Sequence, residues 1–225
     1  MPTSPPSRRK RRNTGARRLS VTERLPAVIL AGGRATRMGG GDKPLLSLGG
    51  QSILSHVIAR LAPQCAPIAL NANGDATRFA HLGLPVLADT LPDHPGPLAG
   101  VLAGLDWAAA QGAAQVVTVA GDTPFFPPDL AVRLQAAQSR AGLALAATED
   151  ATGTLRRHPT FGLWPVALRD DLRAALKGGL RKVVLWTDAH GAGTAAFDAR
   201  EVDPFFNINR PEDLAAAERL LEIVG

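Results

Sequence analysis

Short apolar runs alternate with helical periodicities along most of the chain. The first run, Pro26-Ala27-Val28-Ile29-Leu30, stops at Ala31-Gly32-Gly33. A run of this length bounded by glycine suits a strand buried on both faces. Residues 52–61 then place Ile53, Leu54, Val57, Ile58 and Leu61 at helical spacing. Two further short runs, 67–70 and 85–88, end at Asn71 and Asp89. Residues 97–110 read as a helix, and 115–120 (QVVTVA) as the cleanest strand, ending at Gly121-Asp122. Residues 128–139 read as a helix with a proline near its first turn, where a missing N–H costs nothing, and 143–147 as another strand.

Strands that alternate with helices through short connections predict an α/β fold. The expectation is one open, mostly parallel sheet with helices on both faces, joined by right-handed crossovers. Beyond Glu149 the alternation blurs. Residues 160–164 and 194–197 read as short strands and 165–177 as a helix. The last helix carries Leu214, Ala217, Leu220 and Leu221 on one stripe, with Asn209 as its expected cap and Glu212 at the capping-box position.

Composition fits this picture and closes off others. The chain has 225 residues, 45% of them apolar and 20% charged, enough for a sizeable core in a single domain. No apolar run approaches the roughly 20 residues needed to span a bilayer. Cys65 has no partner for an internal disulfide, and the five histidines show no metal-ligand spacing.

The net charge of +5 is unevenly spread. Residues 1–24 hold eight basic residues and one acid, leaving 17 basic and 19 acidic residues in 25–225. We therefore expect a disordered basic extension over 1–24 and one folded domain over 25–225. The extension has no apolar segment of the kind a secretory signal needs. Its arginines could neutralise nucleic-acid phosphates. Its composition favours a solvated extension, or a start codon placed too far upstream, over a nucleic-acid partner.

The chemistry gathers where the sheet should end. Open α/β sheets bind ligands at the carboxyl ends of their strands, and the first four strands end at Gly32-Gly33, Asn71, Asp89 and Asp122. Residues 30–44 read LAGGRATRMGGGDKP, with five glycines and three cations, Arg34, Arg37 and Lys43. Glycines let backbone N–H groups approach an anion and the cations supply charge, so a phosphate cradle is expected. The pattern is neither a P-loop nor G-x-G-x-x-G. Asp122, directly after a strand, is expected to hold Mg²⁺ beside substrate phosphates, or to cap the Thr123-Pro124 turn. His94 reads as an acceptor-phosphate contact or a loop residue, His158 as a turn residue, and Cys65 as a buried inert thiol.

These segments, together with GPLAG at 96–100, GDTPF at 121–125 and NINRPEDL at 207–214, resemble the molybdenum cofactor guanylyltransferases of the MobA family. The resemblance covers about 25–225 and implies a Rossmann-like nucleotidyltransferase fold. It implies transfer of GMP from GTP to Mo-molybdopterin, with release of pyrophosphate and use of Mg²⁺. Leu30, Ala31 and Gly32 would then line the guanine nucleotide, and Lys43 would meet its phosphates. Asn71 and Asp89 would help hold base and ribose, and Asp122 would bind nucleotide and metal. Arg37 would touch the triphosphate, and Asn207 and Asn209 would face molybdopterin. A cytoplasmic enzyme is implied, with molybdoenzymes or cofactor-insertion proteins as partners. Backbone geometry at 30–32 decides the base, so a cytidylyltransferase, or another nucleotidyltransferase acting on a phosphorylated small molecule, stays open. Arg210 stands where the family motif often has threonine.

Overall fold

The computed structural model describes residues 24–32, 43–91, 96–150, 152–200 and 202–224. Arg34, Arg37, His94 and nearly all of the basic extension lie outside the described residues. Arg24, the last residue assigned to that extension, donates from Nη1 to Ala62 O at 2.8 Å.

Strand β1 (Ala27–Leu30) lies mid-sheet because it is apolar at every position. Ala27, Val28 and Ile29 are fully buried. It pairs in parallel with β4 (Ile68–Asn71) on one side and β6 (Gln115–Ala120) on the other. The short β5 (Val86–Leu87) extends the sheet beyond β4. Past β6 come β8 (Leu155–Pro165), β7 (Ala144–Glu149) and β9 (Gly193–Asp198), giving the order β5-β4-β1-β6-β8-β7-β9. Only β8 runs against the rest. The sheet is therefore mostly parallel, as the alternation predicts.

The antiparallel strand explains why the pattern fades after Glu149. The chain turns back directly from β7 into β8 as a hairpin, and β8 inserts between β7 and β6 without a helical crossover. His158 lies in this strand rather than in a turn. It is 8% exposed, bonds Thr148 Oγ1 through Nε2 at 2.9 Å, and stacks on Phe205 with 4.3 Å between ring centroids. Burial pushes its pKa down to about 4; the Arg156 charge adds to this and Asp203 opposes it.

Helices cover both faces. On one, α1 (Ile53–Leu61) and α3 (Leu130–Ala137) bury Leu54, Val57, Leu61 and Leu134 against Ile29, Leu70 and Val119. Ser52 starts α1 by accepting from Ser55 N at 3.0 Å, a typical N-cap. On the other face, α2 (Pro97–Ala110), α4 (Arg169–Lys177) and α5 (Val183–Ala189) pack Leu102, Leu172 and Trp186 against Val28, Val116 and Trp164. Trp164 donates from Nε1 to Thr118 Oγ1 at 2.7 Å, and that hydroxyl donates to Thr160 O at 2.9 Å, so the polar atoms in this core are paired. Cys65 is buried and its thiol is pushed up to about 12 by desolvation.

A third, smaller cluster ties the C-terminal segment to the sheet. The two-stranded hairpin β2 (Ser47–Leu48) and β3 (Gln51–Ser52) contributes Leu48, and α6 (Pro211–Val224) contributes Ala217, Leu214, Leu220 and Leu221. Ile53, Phe125 and the fully buried Ile208 join them.

Candidate active site

Strand order sets the location. From β1 the chain moves out to β4 and β5 on one side and returns to β6 on the other, so the connections diverge at the carboxyl ends of β1 and β6. A crevice at this switch point is where such sheets bind ligands. The two strand ends are held close: Gly121 N donates to Leu30 O at 2.9 Å. A Cβ on Gly121 would stand 3.3 Å from Leu30 O and 3.3 Å from Ala31 Cβ, so glycine keeps this approach unstrained. Ala31 N donates to Asn71 O at 2.9 Å, which extends the pairing with β4 past Leu30 and leaves Gly32 exposed on the rim.

Lys43 stands on a single 3₁₀ turn (Lys43–Leu45) anchored by the buried Pro44. Its ammonium reaches into the crevice. Nζ lies 2.6 Å from Asp122 Oδ2, donates to Asn209 Oδ1, and stands 3.5 Å from Asn207 Oδ1. The lysine side chain is 12% exposed and the aspartate 23%, so their charges attract in a partly desolvated setting. The other oxygen, Asp122 Oδ1, accepts from Thr123 Oγ1 at 3.2 Å.

The two asparagines arrive through one anchor. Ile208 N donates to Asp122 O at 3.0 Å while its side chain fills the third cluster, and Asn207 and Asn209, on either side of it, both turn to Lys43. This corrects the expected cap of α6. Asn209's side chain is committed to Lys43, and the carboxylate that reaches back over the helix start is Asp213, not Glu212. Asp213 Oδ2 accepts from Asn209 N at 2.8 Å and Arg210 N at 2.9 Å. The carboxylate belongs there because helix amino ends carry unpaired N–H groups and partial positive charge.

A second group sits along the same edge at β4 and β5. Asn71 is buried; its Nδ2 donates to Leu87 O at 3.1 Å and to Asp89 Oδ1 at 3.0 Å. Asn73 Nδ2 donates to Asp89 Oδ2 at 2.7 Å. The first turn of α2 closes over this group. A Cβ on Gly100 would come within 2.2 Å of Asn71 Oδ1 and 2.9 Å of Leu30 Cδ2.

The structure thus brings Leu30, Ala31, Gly32, Lys43, Asn71, Asp89, Asp122, Asn207 and Asn209 to one edge of the sheet. Two residues missed as site members are Asn73 and Gly100. The repeat Asn-Ala-Asn at 71–73 offers the signal for the first, since residues two apart on a departing strand face the same side. The glycine four residues after Gly96 in GPLAG offers it for the second.

The donor set around Lys43 is compatible with a hard divalent cation. It consists of oxygens alone, and it already gathers about an ammonium. Among the described residues no cluster of three or more His, Cys, Asp or Glu could enclose a metal. A site with one carboxylate accords with Mg²⁺, which keeps waters and takes the rest of its ligands from phosphates.

Comparison with known proteins gives the family and the fold. Residues 27–191 match the family described as the MobA-like NTP transferase domain. A molybdenum cofactor guanylyltransferase from a Bradyrhizobium species is 52% identical over 206 residues, covering 89% of this chain and 95% of the relative. The chain belongs to the MobA-like NTP transferase family. One from Cereibacter sphaeroides is also 52% identical, covering 88% and 97% of the two chains. Membership makes the chain a nucleotidyltransferase in molybdenum cofactor biosynthesis, and the resemblance drawn from its motifs holds. The fold recurs in solved structures. Molybdopterin-guanine dinucleotide biosynthesis protein A from Archaeoglobus fulgidus superposes with TM-score 0.67 at 22% identity, covering 89% of this chain and 100% of that one. The 4-diphosphocytidyl-2C-methyl-D-erythritol synthase from Anaerococcus prevotii gives 0.66 at 15% identity, covering 89% and 96%. No helix among the described residues is long and apolar enough to cross a membrane. Asn207 and Asn209 fall outside the matched span, although they complete the oxygen set around Lys43.

Proposed function

We propose that the chain transfers the guanylyl group of GTP to the terminal phosphate of Mo-molybdopterin, forming molybdopterin guanine dinucleotide and releasing pyrophosphate. The observation that carries this reading is the convergence of Lys43, Asp122, Asn207 and Asn209 at the β1/β6 switch point. The names of relatives about half identical to this chain supply the substrates.

The chemistry suits a site of charges and amides. The acceptor is a phosphate monoester, ionised at neutral pH, so no strong general base is required. Its oxygen forms a bond to the α-phosphorus of GTP as the bond from that phosphorus to the departing pyrophosphate breaks. The obstacle is repulsion between two polyanions, and fixed positive charge lowers it. Lys43 provides that charge, and we assign Arg37 to the same triphosphate. Mg²⁺ on Asp122, when bound, neutralises further phosphate charge. The backbone of Leu30, Ala31 and Gly32 lines the nucleotide, Asn71 and Asp89 hold its nucleoside end, and Asn207 and Asn209 face the pterin phosphate. Holding both substrates in line contributes by orientation.

We place the reaction in the cytoplasm, with molybdoenzymes or cofactor-insertion proteins receiving the product. Residues 1–24 have no part in transfer on this reading. The test is incubation of the full chain with labelled GTP, Mg²⁺ and Mo-molybdopterin. Labelled guanine dinucleotide and pyrophosphate are expected in equal amounts. Preferential turnover of CTP would replace the guanylyl assignment with a cytidylyl one.

A further inference from the structure

The Asp89 carboxylate is braced from two sides. Asn71 Nδ2 donates to Oδ1 at 3.0 Å and Asn73 Nδ2 donates to Oδ2 at 2.7 Å. Asp89 N in turn donates to Asn73 Oδ1 at 2.9 Å, so Asn73 grips both the backbone and the side chain of one residue. Asn73 is itself set in place from behind, because its main-chain oxygen accepts from Arg78 Nη2 at 2.6 Å. Asn73 is exposed and Asp89 is half-buried.

This arrangement exceeds what is needed to close the chain after β4. An ionised carboxylate has about four lone-pair sites. The two asparagine bonds engage one on each oxygen and stop rotation about the Cβ–Cγ bond. What remains is a pair of acceptors at fixed spacing and orientation, suited to two donors held side by side. On a nucleoside triphosphate the phosphates offer no such pair. The nucleoside offers two: the N1–H and 2-amino edge of guanine, and the ribose diol. Asp89 also stands where that end belongs. It follows β5, three strand positions from β6 and Asp122, which is roughly 14 Å across the sheet.

Building on the nucleotide site described above, we propose that Asn73 is a positioning residue that holds the Asp89 carboxylate as a two-point acceptor for paired N–H or O–H donors of the nucleoside. Asn71 shares the task, but it is buried against Gly100 and also ties β4 to β5. Asn73 is the member whose removal separates positioning from folding.

The experiment compares wild type with Asn73→Ala and Asn73→Asp. Calorimetric Kd and steady-state KM are measured for GTP, ITP and 2′-deoxy-GTP, with a thermal melt of each protein. In Asn73→Ala we expect Kd and KM for GTP to rise about tenfold, the effect of losing one charge-assisted hydrogen bond. We expect kcat to hold within about twofold and the melt to be unchanged, as for a contact that acts in binding. Asn73→Asp sets a second carboxylate against Asp89 and should weaken GTP further. The analogues locate the donors. Collapse of the ITP/GTP ratio toward one in the variant assigns the guanine edge, and collapse of the deoxy ratio assigns the ribose. Unchanged Kd, or equal weakening of all three nucleotides with both ratios intact, overturns the proposal. If wild type binds CTP and not GTP, the guanylyl reading falls. The same comparison with CTP and 2′-deoxy-CTP still decides Asn73. If wild type binds no nucleotide, both fall.

Discussion

Lys43 Nζ rests 2.6 Å from Asp122 Oδ2, a contact made between positions 79 residues apart in the chain. The pair joins the end of the glycine-rich stretch to the end of β6, and in the proposed reaction its lysine meets phosphates and its aspartate a cation. Asp122→Ala should lower kcat by about 10²–10³-fold, the usual scale for removing an electrostatic element of a transition state. Lys43→Arg should not restore a Lys43→Ala loss, since a planar fork cannot take the place of a compact ammonium among three oxygens. Pyrophosphate release under saturating GTP measures both.

The two asparagines make a graded prediction. Asn209 Oδ1 bonds the ammonium closely, whereas Asn207 Oδ1 lies 3.5 Å away, at the limit of a hydrogen bond. Asn209→Ala should reduce kcat/KM by about tenfold and Asn207→Ala by about threefold, because the closer charged contact is worth more. Equal effects would mean that the asparagines act on something other than Lys43.

Gly100→Ala adds one methyl group where no space exists. Its Cβ would sit 2.2 Å from Asn71 Oδ1. The amide must swing away, breaking its bonds to Leu87 O and Asp89. We expect a stability loss of about 1–3 kcal/mol, as for other overpacked sites, together with weaker GTP binding. Gly112→Ala, in open space but at φ +73°, should cost stability without touching GTP affinity.

His158 gives a pH dependence. Its folded pKa, about 4, lies below the ordinary 6.5 because burial disfavours the imidazolium. The unfolded chain therefore binds more protons between these values. The stabilising contribution is complete above pH 6.5 and is lost as pH falls toward 4. Melting temperature should drop across that window in wild type, and less steeply in His158→Gln. Asp203 and Arg156, the charges facing the ring, act in opposite senses and do not reverse the sign.

These predictions rest partly on what the sequence made legible. The first half of the sheet was readable because each of its strands is a short apolar run followed by a helix or a helical turn. Residues 97–110 and 115–120 coincide with α2 and β6. In the second half the runs at 143–147, 160–164 and 194–197 and the helix at 165–177 also recur, as β7, β8, β9 and α4, but their order was not legible, because a hairpin leaves no helical period between β7 and β8. Short α5 carries too few residues to show one. The glycines, Lys43 and Asp122 were visible as chemistry at strand ends. Asn209 was misread as a cap, since asparagine before a helix suits that role equally well, and only the placement of Ile208 shows which way its side chain turns. Asn73 escaped notice because its importance lies in Asp89, sixteen residues away.

The anchoring of Ile208 on Asp122 bears on how the protein can be dissected. A fragment trimmed to the family-matched span 27–191 would retain Lys43 and Asp122 but forfeit β9, Ile208 and α6. The flank of β7 would then offer its unpaired amides and carbonyls to neighbouring molecules, a setting that favours self-association. The hydrophobic side chains of Leu48 and Phe125 would be opened to water at the same stroke. The terminal segment thus covers the sheet's sticky margin as well as carrying Asn207 and Asn209, and removing it should cost solubility along with activity.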